Sequence, residues 1–250
     1  MTHAKSYTCS HTEPGKGKEY DHVYNTDPWH IYLWRREQHI IDKILKKYYL
    51  NKNIHYLDFA CGTGRILQKI EPYTKLSIGV DVSDTMLEIA RGKVKTSKLL
   101  KANLIQETIL GDQSFNLITA FRFFTNAEPD LRIAAIKALA PLLKSDGYLV
   151  FNIHHNINSI YMRILKWHAN RKRVQGPTFM SINECQLLLK CADFRIVDVF
   201  GTGAFHIPKI HLPHIIYKLI DSLAGISNLS SGLTENPIIV AQRMKGCKCQ

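Results

Sequence analysis

The stretch "LDFACGTGR", residues 57–65, constrains the fold more than any other part of the chain. It begins with apolar residues, has an acid at Asp58, and ends in small residues that include Gly62 and Gly64. Glycine adopts positive φ without strain and lets a backbone approach a ligand closely. A buried strand that turns through such a loop into a helix is typical of ligand-binding α/β sheets. We therefore expect a binding site at this turn.

Strand and helix patterns alternate along the chain. The apolar runs "IHYLDFA", "LSIGVDV", "KLLKANL", "SFNLITAF" and "GYLVFNI" indicate strands, and "DLRIAAIKALAPLL" between the last two indicates a helix that breaks near Pro141. This alternation predicts a parallel sheet wound by right-handed crossovers. Two later runs, "FRIVDVF" and "PIIVAQRM", predict an antiparallel pair of strands that completes the sheet.

The bulk properties favour an intracellular, cytoplasmic protein. The sequence contains no run of about 18 uncharged apolar residues, so it predicts no membrane-spanning helix. The polar N-terminus lacks the apolar core of a signal peptide. The 6 cysteines are too sparse for a disulfide scaffold, and their spacing suits no common zinc site. The C-terminal "CKCQ" has a prenylation-like spacing, but Lys248 after Cys247 favours a frayed polar tail.

The formal net charge of +12 predicts anionic partners, such as nucleic acid, acidic lipid headgroups or phosphorylated small molecules. Residues 147–183 contain no acid. The cations of this interval are Arg163, Lys166, Arg171, Lys172 and Arg173. They predict either an anion-binding surface or an ordinary solvated basic helix, and the sequence leaves both open.

Two kinds of cofactor compete for the glycine loop. In sheets of this class, ligands bind beyond the carboxyl ends of the strands, where the strand order reverses. A dinucleotide site needs a third glycine, but Leu67 stands at that position, and Asp58 would repel a pyrophosphate. S-adenosylmethionine, with its ammonium and sulfonium groups, suits the loop better. Asp58 would lie near its amino-acid end, and Asp81 would accept both ribose hydroxyls.

"LDFACGTGR" followed by "IGVDVSDTMLEIAR" resembles the first two motifs of class I S-adenosylmethionine-dependent methyltransferases, in particular small-molecule members. "SFNLITAF" and "ALAPLLKSDGYLVF" resemble the fourth strand of that family and the segment that enters its fifth. The resemblance covers about residues 54–153. It implies an α/β fold with a doubly wound, Rossmann-like seven-stranded sheet, mostly parallel with an antiparallel terminal pair, and S-adenosyl-L-methionine as the cofactor.

The resemblance also implies which residues contact the cofactor. Ala60 stands where the family usually has glycine, and Asn103 lies near the position of an acid that often meets the adenine amino group. The full set of implied contacts is Tyr24, Asp58, Ala60, Gly62, Gly64, Asp81, Val82, Asn103, Leu104, Phe121 and Arg122.

The N-terminal aromatic residues resemble the cap of small-molecule members, which closes over the cofactor. Tyr20, Tyr24, Trp29 and Tyr32 are therefore candidates for a lid, against ordinary helix packing. Residues 1–19 are predicted to be a disordered tail, because Gly15 and Gly17 lie among charges. The remaining chain, 20–250, is predicted to be one methyltransferase domain: a helical cap (20–50), a cofactor-binding core (54–153) and two substrate-recognition insertions (154–180 and 205–235).

Histidines after the fifth strand are the candidate catalytic residues. His154 or His155 could take a proton from a hydroxyl, because histidine titrates near neutrality; the alternative is loop histidines bonded to backbone or water. His206 is a weaker candidate. No metal is predicted, because Arg122 stands where metal-dependent catechol-type members place acids.

These features predict an enzyme that methylates a small-molecule acceptor, most readily on oxygen. A glycan, a lipid-linked headgroup and a secondary metabolite all fit, and the basic surface favours an anionic acceptor. Base-nitrogen methylation is disfavoured, because "FRFFTN" lacks the Asp/Asn-Pro-Pro-aromatic motif. The alternatives are an RNA methyltransferase, disfavoured because no RNA-binding module is recognisable, and a non-catalytic cofactor-binding module. The later insertion, with His211 and His214, would complete an acceptor pocket or touch a membrane surface.

Overall fold

A computed structural model describes residues 13, 15–50, 53–112, 114–159, 162–163, 180–202, 215–216, 219, 222 and 233–244. Two helices precede the sheet, α1 (Lys16–Thr26) and α2 (Pro28–Tyr49). The elements that follow are β1 (Ile54–Phe59), α3 (Arg65–Ile70), a 3-10 turn (Glu71–Tyr73), β2 (Thr74–Asp81), α4 (Asp84–Arg91), β3 (Lys98–Lys101), β4 (Phe115–Ala120), α5 (Pro129–Leu142), β5 (Leu143–Asn152), α6 (Ile182–Lys190), β6 (Phe194–Phe200) and β7 (Ile238–Arg243).

The strands form one 7-stranded sheet in the order β3-β2-β1-β4-β5-β7-β6. The pairs from β3 to β5 are parallel, whereas β7 lies between β5 and β6 and is antiparallel to both. The order reverses between β1 and β4, so the carboxyl ends of these strands open a crevice. The predicted Rossmann-like sheet with its antiparallel end is confirmed.

Helices cover both faces of the sheet. Tyr56 and Leu57 belong to opposite core clusters, because successive strand residues point to opposite faces. One cluster packs Ile40 and Ile44 of α2 and Ile66 of α3 on the sheet. The other packs residues of α5 and α6 on the opposite face, among them Ile136, Leu139 and Leu189. This double coverage explains why the strand sequences are nearly continuous apolar runs.

The predicted disordered tail of residues 1–19 is wrong for residues 16–19, which form the first turn of α1. Gly17 is buried there, and a Cβ on it would lie 2.2 Å from the carbonyl oxygen of Thr85 in α4. The glycine therefore permits a close helix crossing. A second helix begins at Pro28, where the Asp27 side chain accepts a hydrogen bond from His30 N (2.9 Å).

The helix predicted to break near Pro141 ends one residue later, at Leu142. Most of the two predicted insertions lies outside the described residues. Outside them fall Tyr161, Lys166, Trp167, Arg171, Lys172, Arg173, His206, His211, His214 and Cys247. In the part of the chain that is described, no helix is both long and apolar enough to cross a membrane.

Candidate active site

A cavity of about 330 Å³ opens at the carboxyl ends of β1, β2 and β4. The structure brings together most of the residues that the sequence predicts for the site, and the two lid candidates Tyr20 and Trp29 join them. The predicted residues that line the cavity are Tyr24, Asp58, Ala60, Gly62, Asp81, Val82, Asn103, Leu104, Phe121, Arg122, His154 and His155. Gly64 and Tyr32 are not among its lining residues.

Glycine is favoured at the two loop positions for different structural reasons. Gly62 has a φ of 53°, and a Cβ there would meet nothing within 4 Å, so its conformation alone favours glycine. Gly64, at a φ of 75°, precedes α3, and a Cβ on it would lie 2.9 Å from the Cβ of Ala90 in α4. Gly64 therefore allows α3 and α4 to pack closely behind the cavity wall.

Backbone strain is concentrated around the cavity. Within the described ranges, the non-glycine residues with positive φ are Ala60 (54°), Arg122 (61°), His155 (56°) and Asp193 (57°). All except Asp193 line the cavity. Such conformations cost about 1–3 kcal/mol each and persist where the surrounding structure imposes them, often at functional sites.

Asp58 is a buried acid with one unsatisfied oxygen. Its Oδ1 accepts a hydrogen bond from Thr119 Oγ1 (2.5 Å), and Thr119 shares a second hydrogen bond with the Tyr56 hydroxyl (2.6 Å). Its Oδ2 is buried without a hydrogen-bond partner. Burial raises the pKa of Asp58 to about 7, the Thr119 hydrogen bond opposes the rise, and the charge of Asp81 adds to it. A cation in the cavity would satisfy this oxygen and favour the ionised form.

Asp81 joins the two loops that follow β1 and β2. Its Oδ2 accepts from the backbone N–H of Gly62 (2.8 Å), and its Oδ1 accepts from the backbone N–H of Ser83 (2.9 Å). These bonds hold the carboxylate in one orientation. The carboxylate lies on the cavity wall at the end of β2, where the sequence predicts the ribose hydroxyls.

The segment after β3 provides the wall predicted to face the adenine. Asn103 and Leu104 line the cavity together with Val82. The Asn103 side-chain oxygen accepts from Ile105 N (3.1 Å), which fixes the orientation of its amide. An amide oxygen has two lone pairs, so it can accept a second hydrogen bond from a ligand amino group.

A charged cluster beside the cavity includes two residues that the sequence reasoning missed, Glu37 and Arg65. Arg122 Nη2 donates to Glu37 Oε1 (3.1 Å), and Arg65 Nη2 lies 3.6 Å from Glu37 Oε2. Both guanidinium groups lie over the Tyr24 ring, at 4.0 and 4.4 Å from its centroid. Burial raises the pKa of Glu37 to about 7, against the lowering effect of Arg65.

Two arginines share one acid in this cluster, so it has a net positive charge when Glu37 is ionised. Arg65 Nη1 and Arg122 Nε are buried without a hydrogen-bond partner. The cluster can therefore receive an anionic group at the cavity wall. The sequence did contain a signal that Glu37 is functional. Glu37 is an acid on the apolar face of α2, between the buried residues Leu33 and Ile41.

The histidine pair lies at the exit of β5, as predicted. His154 Nε2 lies 3.0 Å from Asn126 Oδ1, and its Nδ1 is buried without a hydrogen-bond partner. Burial lowers the pKa of His154 well below its usual range, and the nearby Arg122 and His155 act in the same direction. His155 Nδ1 lies 3.1 Å from the buried Glu235 carboxylate, which the sequence reasoning also missed. No local pattern marked Glu235 as a partner, because it is 80 residues away in sequence.

Among the described residues, no group of three or more His, Cys, Asp and Glu side chains is arranged to hold a metal ion.

Comparison with known proteins assigns the family. A family model described as "Methyltransferase domain" matches residues 31–199, which is more than half of the chain. The chain belongs to this methyltransferase family. Its sheet has the class I fold of the S-adenosyl-L-methionine-dependent methyltransferases to which it is similar, with the strand order that the sequence predicts.

The methyltransferase is similar to a Geobacillus protein assigned to the methyltransferases, with 30% identity over 142 residues and 54% of each chain covered. It is 25% identical over 135 residues to the ubiquinone biosynthesis O-methyltransferase of Coxiella burnetii, covering 51% of this chain and 57% of the relative. The chain thus spans about half the length of these curated relatives.

The methyltransferase also shares its fold with magnesium protoporphyrin IX methyltransferase of Synechocystis, solved with bound S-adenosylhomocysteine. The TM-score is 0.68 at 12% identity, and the match covers 94% of this chain and 97% of that one. The unsatisfied oxygen of Asp58 fits a ligand that carries a cation, and the carboxylate of Asp81, held in one orientation, lines the same cavity. The residues of the cavity therefore suit the cofactor of the family.

Proposed function

We propose that this methyltransferase transfers a methyl group to an oxygen atom of a small-molecule acceptor. The observation that carries the proposal is a single cavity that contains both the cofactor acids, Asp58 and Asp81, and the two histidines, His154 and His155. Methyl transfer needs in-line alignment of the acceptor and exclusion of water. A hydroxyl acceptor needs, in addition, a group that takes its proton, and a histidine supplies one at neutral pH.

Different residues of the chain would bind different parts of the cofactor. When bound, S-adenosyl-L-methionine supplies an electrophilic methyl group on a positively charged sulfur. Asp58 would hold the ammonium end, and Asp81 the ribose hydroxyls. Arg65, at the start of α3, would receive the carboxylate, since its Nη1 lacks a hydrogen-bond partner beside the cavity.

Aromatic residues would cover the reacting groups. Tyr20 and Tyr24 of α1 and Trp29 of α2 line the cavity, and Tyr24 stacks against the two guanidinium groups of the charged cluster. Such a cover would exclude water from the methyl group, so these residues retain the predicted lid function as part of the proposal. Tyr32 stacks on Trp29 at 5.8 Å between ring centroids and supports the lid from behind.

The relatives support a small acceptor. One is named as a ubiquinone biosynthesis O-methyltransferase and another as a magnesium protoporphyrin IX methyltransferase. Arg122 gives the cavity wall a cation, so we propose an acceptor that carries an anionic group as well as the hydroxyl. Phenolic acids and glycosyl acids belong to this class.

The test is methyl transfer from labelled cofactor by the purified protein. The acceptor panel contains hydroxylated small molecules with and without a carboxylate or phosphate, the matching amines, and total transfer RNA. We expect label in hydroxyl compounds, with the anionic ones preferred. Label only in amines or only in RNA would overturn the proposal, provided that calorimetry shows cofactor binding.

RNA methylation is the second candidate, because the net charge is +12. It requires binding that weakens steeply with salt and methylated RNA as the product. RNA binding that disappears at modest salt with no label incorporated would identify the charge as a source of non-specific attraction. That result would leave the small-molecule proposal in place.

A further inference from the structure

Glu37 is a buried acid that two arginines share. Its side chain is 1% exposed, its Oε1 accepts from Arg122 Nη2 (3.1 Å), and its Oε2 lies 3.6 Å from Arg65 Nη2. The amide of Asn152, at the end of β5, also donates to Oε1 (3.5 Å) but carries no charge. Helix α2 therefore places one negative charge against both positive charges of the cavity wall.

Each arginine has a nitrogen to spare for a ligand. Nη1 of Arg65 and Nε of Arg122 are buried without a hydrogen-bond partner, and both residues line the cavity. Glu37 is not among the lining residues. The Tyr24 ring packs against both guanidinium groups, with their carbons 4.0 and 4.4 Å from its centroid. A ligand thus meets the arginines directly and Glu37 only through them.

The charges of this cluster can be compared for each ligand. With Glu37 ionised, the two guanidinium groups and one carboxylate have one net positive charge. The cofactor carboxylate proposed at Arg65 would neutralise it. An anionic acceptor at Arg122 would then leave one unbalanced negative charge in a wall whose three side chains are 1%, 12% and 13% exposed, which is unfavourable. The same acceptor is balanced when Glu37 carries a proton.

We propose that Glu37 is a specificity-determining residue whose charge decides whether the cavity selects an anionic or an uncharged acceptor. The inference rests on the proposed function. An ionised Glu37 leaves Arg122 no surplus charge, so an acceptor gains nothing from a carboxylate. A protonated Glu37 leaves the charge of Arg122 to the ligand, so acceptors with one carboxylate are preferred. Glu37 does not touch the acceptor and acts through Arg122.

The surroundings of Glu37 allow both states near neutral pH. Burial raises the pKa of Glu37 to about 7, and the positive charge of Arg65 opposes the rise. A ligand anion beside the arginines disfavours a second negative charge, so it raises this pKa further. Binding of an anionic acceptor should therefore take up a proton when Glu37 is ionised beforehand.

Other titratable groups face the two arginines from neighbouring elements. Tyr20 and Tyr24 of α1 lie near Arg122, and phenols ionise only near pH 10. His154, after β5, is also near Arg122, and burial holds its pKa well below its usual range, so the ring is uncharged at neutral pH. Compared with these groups, Glu37 is the one whose charge changes around pH 7.

The test uses benzoate as an anionic probe and benzamide as its uncharged match, since neither changes charge between pH 6 and 8. Titration calorimetry is done on the protein saturated with S-adenosylhomocysteine, whose sulfur is uncharged. We expect the wild type to bind benzoate about tenfold more tightly at pH 6 than at pH 8. At pH 8, buffers of different ionisation enthalpy should reveal uptake of about one proton per benzoate.

The variant Glu37→Gln resembles the protonated acid and retains an oxygen that can accept from Arg122. It should bind benzoate at pH 8 about as tightly as the wild type does at pH 6, without proton uptake. Benzamide should bind equally to both proteins at both pH values. Asp42→Asn, which removes the exposed partner of Lys69 on the same helix, is the control and should match the wild type.

The acceptor panel adds a kinetic measurement. The ratio of kcat/KM for anionic to uncharged hydroxyl compounds should rise from pH 8 to pH 6 in the wild type and stay high in Glu37→Gln. A residue that only supports the fold would change both classes of acceptor together.

Three results would overturn this inference: no benzoate binding by the wild type at pH 6, no proton uptake at pH 8, or a pH dependence that Glu37→Gln retains. The first two need no variant, so they decide even if Glu37→Gln does not fold. None of them depends on methyl transfer. A wild type that gives the expected binding but methylates no hydroxyl compound would overturn the proposed function and leave the charge effect of Glu37 in place.

Discussion

At the scale of single residues, several groups of the site are energetically unfavourable in the absence of a ligand. Asp58 is 2% exposed, has one unsatisfied oxygen and has a pKa of about 7. Ala60, Arg122 and His155 have left-handed backbone conformations. Each of these features raises the free energy of the empty protein, and a ligand that satisfies the charge recovers part of it. Two consequences can be measured at Asp58 and one at Ala60.

Cofactor affinity should depend on pH because of Asp58. The ionised carboxylate attracts the ammonium and sulfonium groups, and the protonated form does not, so the affinity for S-adenosyl-L-methionine should fall as the pH falls below about 7. Titration calorimetry between pH 5.5 and 8 would measure this, with a proton released on binding at pH 6. Asp58→Asn should lose about tenfold in affinity and most of the pH dependence. A mutant with the same slope as the wild type would contradict the assignment.

The same residue should make the ligand-free protein less stable at neutral pH. The folded pKa of about 7 lies above the usual value of 3.8, so the folded state binds more protons between these values. The stability contributed by protonated Asp58 is full below pH 3.8 and is lost as the pH rises to about 7. Asp58→Asn should therefore raise the unfolding free energy at pH 8 by about 1–3 kcal/mol, and by little near pH 4. Denaturant melts at both pH values would test this, and equal effects would argue against it.

Replacing Ala60 by glycine should stabilise the folded protein. Its φ of 54° lies in the left-handed region, where a Cβ is strained and glycine is not. Ala60→Gly should raise the unfolding free energy by about 0.5–1 kcal/mol with cofactor binding retained. The control is Ala134→Gly inside α5, which should destabilise by about 1 kcal/mol. Differential scanning calorimetry gives both values, and a destabilised Ala60→Gly would mean that the strain is absent.

At the scale of elements, the docking of α1 completes the cavity. Gly17 brings α1 against α4, and Lys93 forms an ion pair with Asp21 at the same crossing. Tyr20 and Tyr24 of the docked helix line the cavity. Because α1 packs mainly on α4 and α2, its release would open the cavity without disturbing the sheet.

Gly17→Ala should test this docking. The added Cβ would overlap the Thr85 carbonyl oxygen, which is backbone and cannot move easily, so α1 should lift away. We expect cofactor affinity to fall about tenfold or more and hydrogen exchange in α1 to accelerate, with little change in the melting temperature of the sheet. The control is Gly92→Ala after α4, where the added Cβ would meet only Ile89 O at 3.5 Å. Unchanged affinity in Gly17→Ala would show that α1 is not required for the site.

At the scale of the whole molecule, the sheet and its switch point follow from patterns that are local. The apolar runs and the glycine loop placed β1, β2 and β4 within two residues of their observed bounds. Asp58 and Asp81 lie at strand ends, so their meeting in the crevice follows from the fold class. This reasoning failed at Gly17, because a glycine among charged residues has the same local sequence pattern whether or not it packs against another helix.

Pairings between distant parts of the chain depended on tertiary structure. Glu37 meets Arg122 across 85 residues, and Glu235 meets His155 across 80. Backbone propensity and apolar periodicity act over a few neighbouring residues, so they identify elements, their order and the loops at their ends. Which buried acid faces which cation is determined only when the packed helices exclude water and bring charges from distant parts of the chain together.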